Sequence, residues 1–119
     1  MQWKTVLMEP HPSIDDLLEH CHAHNLDADL GTMFRSPALR CRGKVFAFVG
    51  FDGALIVKLP HARIVQLASQ GTAEQVTMGK RTMREWAEIA LLSSPRSTAD
   101  LWFGLVEEAH KFVSSQPGK

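Results

Sequence analysis

The run His20-Cys21-His22-Ala23-His24, with His11 upstream, gathers imidazoles and a thiol, the ligands that zinc, nickel and copper prefer. On a helix, His20 and His24 stand one turn apart and can chelate one ion from the surface if a carboxylate completes the shell. No His-Glu-x-x-His pattern supplies a general base beside them. The simpler expectation is solvated histidines around a cysteine that packs as a small hydrophobe, so no metal or other cofactor is assigned.

Nucleophilic catalysis needs a Ser or Cys beside a His that a carboxylate orients. Ser13, Ser36, Ser69 and the serines between 93 and 97 sit in capping or loop contexts, and none forms a nucleophile elbow. His61 and His110 are the remaining candidates for a small His-dependent enzyme, with Cys41 as a conceivable partner. The pair Asp15-Asp16 is explained by a first helical turn, where carboxylates meet unpaired amides and the positive end of the dipole. Gly43-Lys44 lacks the earlier glycine spacing and the following Ser or Thr of a phosphate loop, and reads as a hairpin turn. No catalytic set emerges, and a non-enzymatic role is the expectation.

A different chemistry is suggested by Phe34, Phe46, Phe48 and Phe51, interleaved with Arg35, Arg40, Arg42, Lys44 and Lys58. Stacking faces next to phosphate-pairing cations are what single-stranded nucleic-acid binders use. Lys80, Arg81 and Arg84 form a second basic turn. The competing reading is a core of Phe rings and an ordinarily solvated basic sheet face. Met33, Met78 and Met83 likewise fit either an adaptable apolar groove or core filling.

Several elements must position these residues. Ser13 followed by Asp16 resembles a capping box, and Ile14, Leu17, Leu18 and Cys21 follow at helical spacing. From Gly31 onward, Ser36-Pro37, Arg42-Gly43 and Asp52-Gly53 punctuate short apolar runs, which predicts an antiparallel meander with strands 38–41, 44–51 and 54–59. Strand alternation sets Leu39 and Cys41 against Arg40 and Arg42, and Val45, Ala47 and Val49 against Phe46 and Phe48. Both faces of that central strand are then apolar, so something must cover the second, and Phe46 and Phe48 become the candidate interaction surface. After Pro60, Ile64, Val65, Leu67 and Ala68 predict a short helix closed by Gly71. The segment 82–92 fits either helix or strand. Ser97 with Asp100 marks the start of a last helix whose stripe is Leu101, Trp102, Leu105, Val106, Ala109, Phe112 and Val113. The order of elements is that of an α+β domain.

The chain has 119 residues, 45% of them hydrophobic and 22% charged, which suits a single domain over 1–119. Thirteen bases balance thirteen acids, so no net field recruits nucleic acid or an anionic membrane from a distance. The balance hides a segregation: residues 1–30 carry −5, residues 31–84 carry +7 and residues 85–119 carry −2. Two separate cysteines signal neither a disulfide framework nor a thiolate zinc site. Apolar runs are far shorter than the roughly 20 residues of a membrane span, and the first residues lack a secretory pattern, so a cytoplasmic location is expected.

The ordered series Met33-Phe34, Leu39, Gly43 to Ala47, Asp52 to Leu59 and Met78 to Trp86 resembles the TfoX/Sxy N-terminal domain family over roughly residues 13–115. The resemblance implies a two-layer fold with a curved antiparallel sheet, similar to YjbR-like proteins and secretion chaperones, with residues 86–91 in a strand. It also implies a regulatory or protein-interaction module without a catalytic residue set, since family members include bacterial competence regulators that act with the cyclic-AMP receptor protein. Arg35-Ser36-Pro37 departs from the family's Gly-rich turn. Together these readings lead to a protein-interaction module that binds a partner or a second copy, with nucleic-acid binding through Arg35, Arg40, Arg42, Lys44 and Lys58 as the alternative.

Overall fold

A computed structural model describes residues 12–33, 36–50, 53–78, 81–89, 91–92 and 94–115. Helix α1 (Ile14–Ala23) is followed by strands β1 (Asp29–Met33), β2 (Ser36–Cys41), β3 (Lys44–Val49) and β4 (Leu55–Lys58). Helix α2 (His61–Ser69) then leads into β5 (Ala73–Met78), β6 (Arg81–Ile89) and α3 (Pro95–Ser114). The strands form one six-stranded antiparallel sheet in the order β1-β2-β3-β4-β6-β5. Residues of all three helices share one buried cluster with Leu39, Phe46, Ala47, Leu55, Val57, Ala87 and Ile89, so the helices lie on one face of the sheet. This is an α+β sandwich of a sheet layer and a helix layer.

Local chemistry explains the helix ends. Asp16 N–H donates to Ser13 Oγ at 3.2 Å and Ser13 N–H to Asp16 Oδ2 at 2.9 Å, the reciprocal capping box that the sequence predicts. At the end of α2, Gly71 at φ 77° lets its own N–H reach Ala68 O and the Thr72 N–H reach Leu67 O, a Schellman closure. Helix α3 begins three residues before the predicted start. Ser94 caps it through a 3.1 Å bond from Ser97 N–H, and Pro95 supplies a pre-set first turn. Thr98, fully buried, donates to Ser94 O and accepts from Leu92 N–H, both at 2.9 Å, so its hydroxyl is satisfied.

The sheet differs from the expected meander in four places. Strand β1 has no counterpart in the sequence reading, because Leu30 is its only large apolar residue with a described side chain and is 41% exposed. Strand β2 includes Ser36 and Pro37 instead of breaking there; Pro37 pairs with Thr32 of β1 but lies beyond the β3 register, so its missing N–H costs no central ladder bond. Between β3 and β4 the pairing is Gly50 N–H to Ala54 O at 2.9 Å, so three positions rather than two separate the paired residues, with Gly53 at φ 86°. Phe51 and Asp52 of that turn lie outside the described residues. The fourth difference is a bulge: Leu39 pairs with Ala47 but Arg40 pairs with Val45, so Phe46 is the extra residue. Phe46 therefore joins Ala47 on the helix side, where it is fully buried against His110 at 5.4 Å and 86°. Simple alternation, which put Phe46 with Phe48, fails at this point.

Candidate functional site

The face of the sheet opposite the helices is built from one residue in two of each strand. Gly31 of β1 lies under Arg40 of β2: a Cβ at Gly31 would stand 2.7 Å from Arg40 Cδ. Ala38 pairs with Phe48, Phe48 with Ile56, and Ile56 with Glu88, while Lys58 pairs with Trp86. Directly opposed residues share a face, so Ala38, Phe48, Ile56 and Trp86 form its apolar centre. Phe48 meets the Trp86 ring edge-on at 5.9 Å, and Lys58 Nζ sits 5.8 Å from the centroid of that ring. Phe48 is buried, whereas Ile56, Lys58 and Trp86 are half-buried. Among the described residues, no helix covers this face.

A second bulge presents Trp86. Gln75 pairs with Ala87 but the next residue, Val76, pairs with Met83, which frees the carbonyls of residues 84 and 85 from the β5 ladder. Arg84 O accepts from Gln75 Nε2 at 2.8 Å and from His61 Nδ1 at 3.2 Å, and Glu85 O accepts from Leu59 N–H at 3.0 Å. The freed backbone is thereby satisfied. His61 thus ties the start of α2 to the bulge.

The basic candidates divide. Arg40 faces the open side, but Nε and Nη2 bond both oxygens of Asp29 at 2.9 and 3.3 Å. That pairing holds the Asp29 carboxyl below its ordinary range, and the guanidinium is neutralised locally. Arg42 occupies the β2–β3 turn at φ 55°, next to Gly43 at φ 83°, with Asp27 3.8 Å away. Lys44 pairs with Cys41, a core residue, so it lies toward the helix side and away from Arg40. Of the described candidates, Lys58 joins Arg40 on the open face. Arg35, Phe34, His11 and Lys80 lie outside the described residues, as do the side chains of Met33, Met78, Arg81 and Met83.

The histidines have definite partners. His110 Nε2 donates to Asp27 O and His22 Nε2 to Ala28 O, each at 2.9 Å, so both tie helices to the segment entering β1. His20 and His24 approach each other at 4.2 Å between ring centroids, and Glu107 of α3 joins them. Cys21 is fully buried, and burial first, then the Glu107 charge, pushes its thiol up to about 11. Burial also raises the Cys41 thiol. Neither is a ready nucleophile at neutral pH. A cavity of about 300 Å³ is lined by Ala54, Gly71, Thr72, Ala73, Glu74, Glu88 and Leu91, with no histidine or cysteine in its wall.

Three participants escaped the sequence reading. Ile56 belongs to the predicted strand 54–59 and Trp86 to the strand that the family resemblance implies, but neither is assigned to a surface by the sequence. Glu107 stands 87 positions from His20, and no local pattern links them. Among the described residues, no helix is long and apolar enough to cross a membrane. Set against protein-family models, curated proteins and solved structures, the chain matches none.

Proposed function

We propose that this chain is a non-enzymatic interaction module whose working surface is the open sheet face, and that the surface pairs with a second copy of itself. The observation that carries this reading is the apolar centre of Phe48, Ile56 and Trp86 on a face that no described helix covers. A sheet face with an aromatic centre is ordinarily closed by another layer, and Ala38 and Phe48 at this centre are already buried. Its rim supports a second copy as the occupant. Lys58 stands on β4, and Glu88 and Glu74, cross-strand neighbours, stand on β6 and β5, so the face carries both signs. A face that carries both signs around an apolar centre is self-complementary in kind, as an isologous contact requires.

A regulatory role and membership of the TfoX/Sxy N-terminal family belong to the same proposal. The family reading rests on the ordered motifs from Met33 to Trp86, and the antiparallel sheet with Trp86 in a strand agrees with the fold it implies; the regulatory role follows from that resemblance alone. A cytoplasmic location accompanies them. Nucleic-acid binding has weaker support, because Arg40 is engaged by Asp29 and Lys44 lies toward the other side. Light scattering on the wild type and on Ile56→Glu, with anisotropy titrations against single- and double-stranded DNA and RNA, tests the choice. Self-association that Ile56→Glu abolishes, without nucleic-acid binding at physiological salt, is the expected outcome. A monomeric wild type that binds nucleic acid and loses it on Lys58→Glu would overturn it.

A further inference from the structure

His20 lies in the last turn of α1 and His24 is the residue that caps its C-terminus, while Glu107 comes from α3, which packs against α1. One ligand atom from each residue falls within a group whose members all lie within 4.8 Å of one another. His20 Nε2 and Glu107 Oε2 are 2.7 Å apart, so the ring donates to the carboxylate. The His20 ring also stacks on Phe103 at 4.3 Å and 7°, which fixes its orientation. His24 donates from Nδ1 to the His20 carbonyl at 3.0 Å. A neutral His24 ring held this way carries its lone pair on Nε2, the arrangement that ligating histidines have when the other nitrogen is hydrogen-bonded.

We propose that His20 Nε2, His24 Nε2 and the Glu107 carboxylate form a binding site for a zinc-class divalent ion, with water in the fourth position. Two imidazoles and one carboxylate select borderline transition metals over calcium or magnesium, which take oxygen ligands. Tetrahedral zinc holds such donors at about 2.0–2.2 Å, which places them roughly 3.3 Å from each other. His20 and Glu107 must open by about 0.6 Å from their present contact, and His24 must close, movements within reach of side-chain torsions. Binding displaces the proton on His20 Nε2, so that the neutral ligand carries its one N–H on Nδ1, and the Glu107 carboxylate turns from accepting that proton to ligating the ion. His20 is 14% exposed and Glu107 45% exposed at the side chain, so the site is open to solvent on the Glu107 side. Cys21, between the two histidines in sequence, faces the core and is no ligand. The ion staples α1 to α3.

Calorimetric titration of the full chain with zinc chloride, alongside thermal melts, tests the site. Wild type is expected to bind one equivalent and to melt higher with zinc but not with calcium. His24→Gln and Glu107→Gln alter exposed side chains and should keep the far-UV circular dichroism spectrum while weakening zinc binding at least about tenfold, since losing even a partner of a ligand costs roughly 10–100-fold. His22→Gln is the control: His22 shares the helix but bonds Ala28 O, and its variant should bind as the wild type does. Absence of zinc binding in the wild type, unchanged affinity in His24→Gln or Glu107→Gln, or equal loss in His22→Gln would each overturn the proposal.

Discussion

Replacing Phe46 by Ala tests the bulge that decides which aromatic rings the sheet offers to a partner. Phe46 is fully buried on the helix side and meets the edge of the His110 ring, whereas Val45, half-buried, pairs with Arg40 on the open face. Phe→Ala in a core costs about 3–5 kcal/mol. That is a large share of the roughly 5–15 kcal/mol by which such a domain is stable. Each kcal/mol shifts the melting temperature of a domain this size by about 3–5 °C, so Phe46→Ala should lower it by roughly 10–25 °C. Val45→Ala should cost only about 1 kcal/mol or less, because its side chain lies outside the core cluster. Urea titrations followed by far-UV circular dichroism measure both. A Phe46→Ala variant within about 1 kcal/mol of wild type, or a Val45→Ala variant that is the less stable of the two, would refute the bulged register.

Thr98→Val keeps the shape but strands the Leu92 N–H and removes a donor to Ser94 O, so chemical denaturation should show a loss of about 1–3 kcal/mol. Arg42→Asn places the residue that a left-handed turn position prefers beside Gly43, and should raise stability by up to about 1 kcal/mol in the same assay. Cys21 has a folded pKa of about 11 against an ordinary 9.0, so the folded chain holds the thiol proton longer than the unfolded one. Its contribution is fully present below pH 9 and is lost as pH rises toward 11, on the order of 2–3 kcal/mol. A pH series of urea midpoints, compared with Cys21→Ala, checks it.

Much of the framework could be read along the chain, because it rests on local chemistry. The Ser13-Asp16 box, the Arg42-Gly43 turn and the closure of α2 at Gly71 each depend on residues within about six positions. Segment 82–92 could not be decided by periodicity, since a helix and a strand both satisfy it; pairing with β4 and β5 resolves 81–89 as strand. The start of α3 was missed because Ser97 with Asp100 and Ser94 with Ser97 offer competing caps, and Pro95 favours the earlier one. Phe46 was placed on the wrong face because a bulge is a property of two strands together. The alternation of Leu39, Arg40 and Cys41 held, yet it gave no sign that Asp29 would engage Arg40. The cluster of His20, His24 and Glu107 required the packing of α1 on α3, which no local spacing encodes.

The open face as a self-pairing surface is tested most directly by sedimentation equilibrium of the wild type and of Trp86→Glu over a concentration series. Trp86 is half-buried at the centre of that face and is absent from the core cluster, so its replacement should leave the fold intact, as far-UV circular dichroism can verify. The expected result is a wild type heavier than the 13.3 kDa of one chain and a Trp86→Glu variant at that single-chain mass. A wild type that stays at one chain throughout, or a folded Trp86→Glu variant that keeps the wild-type mass, would contradict it.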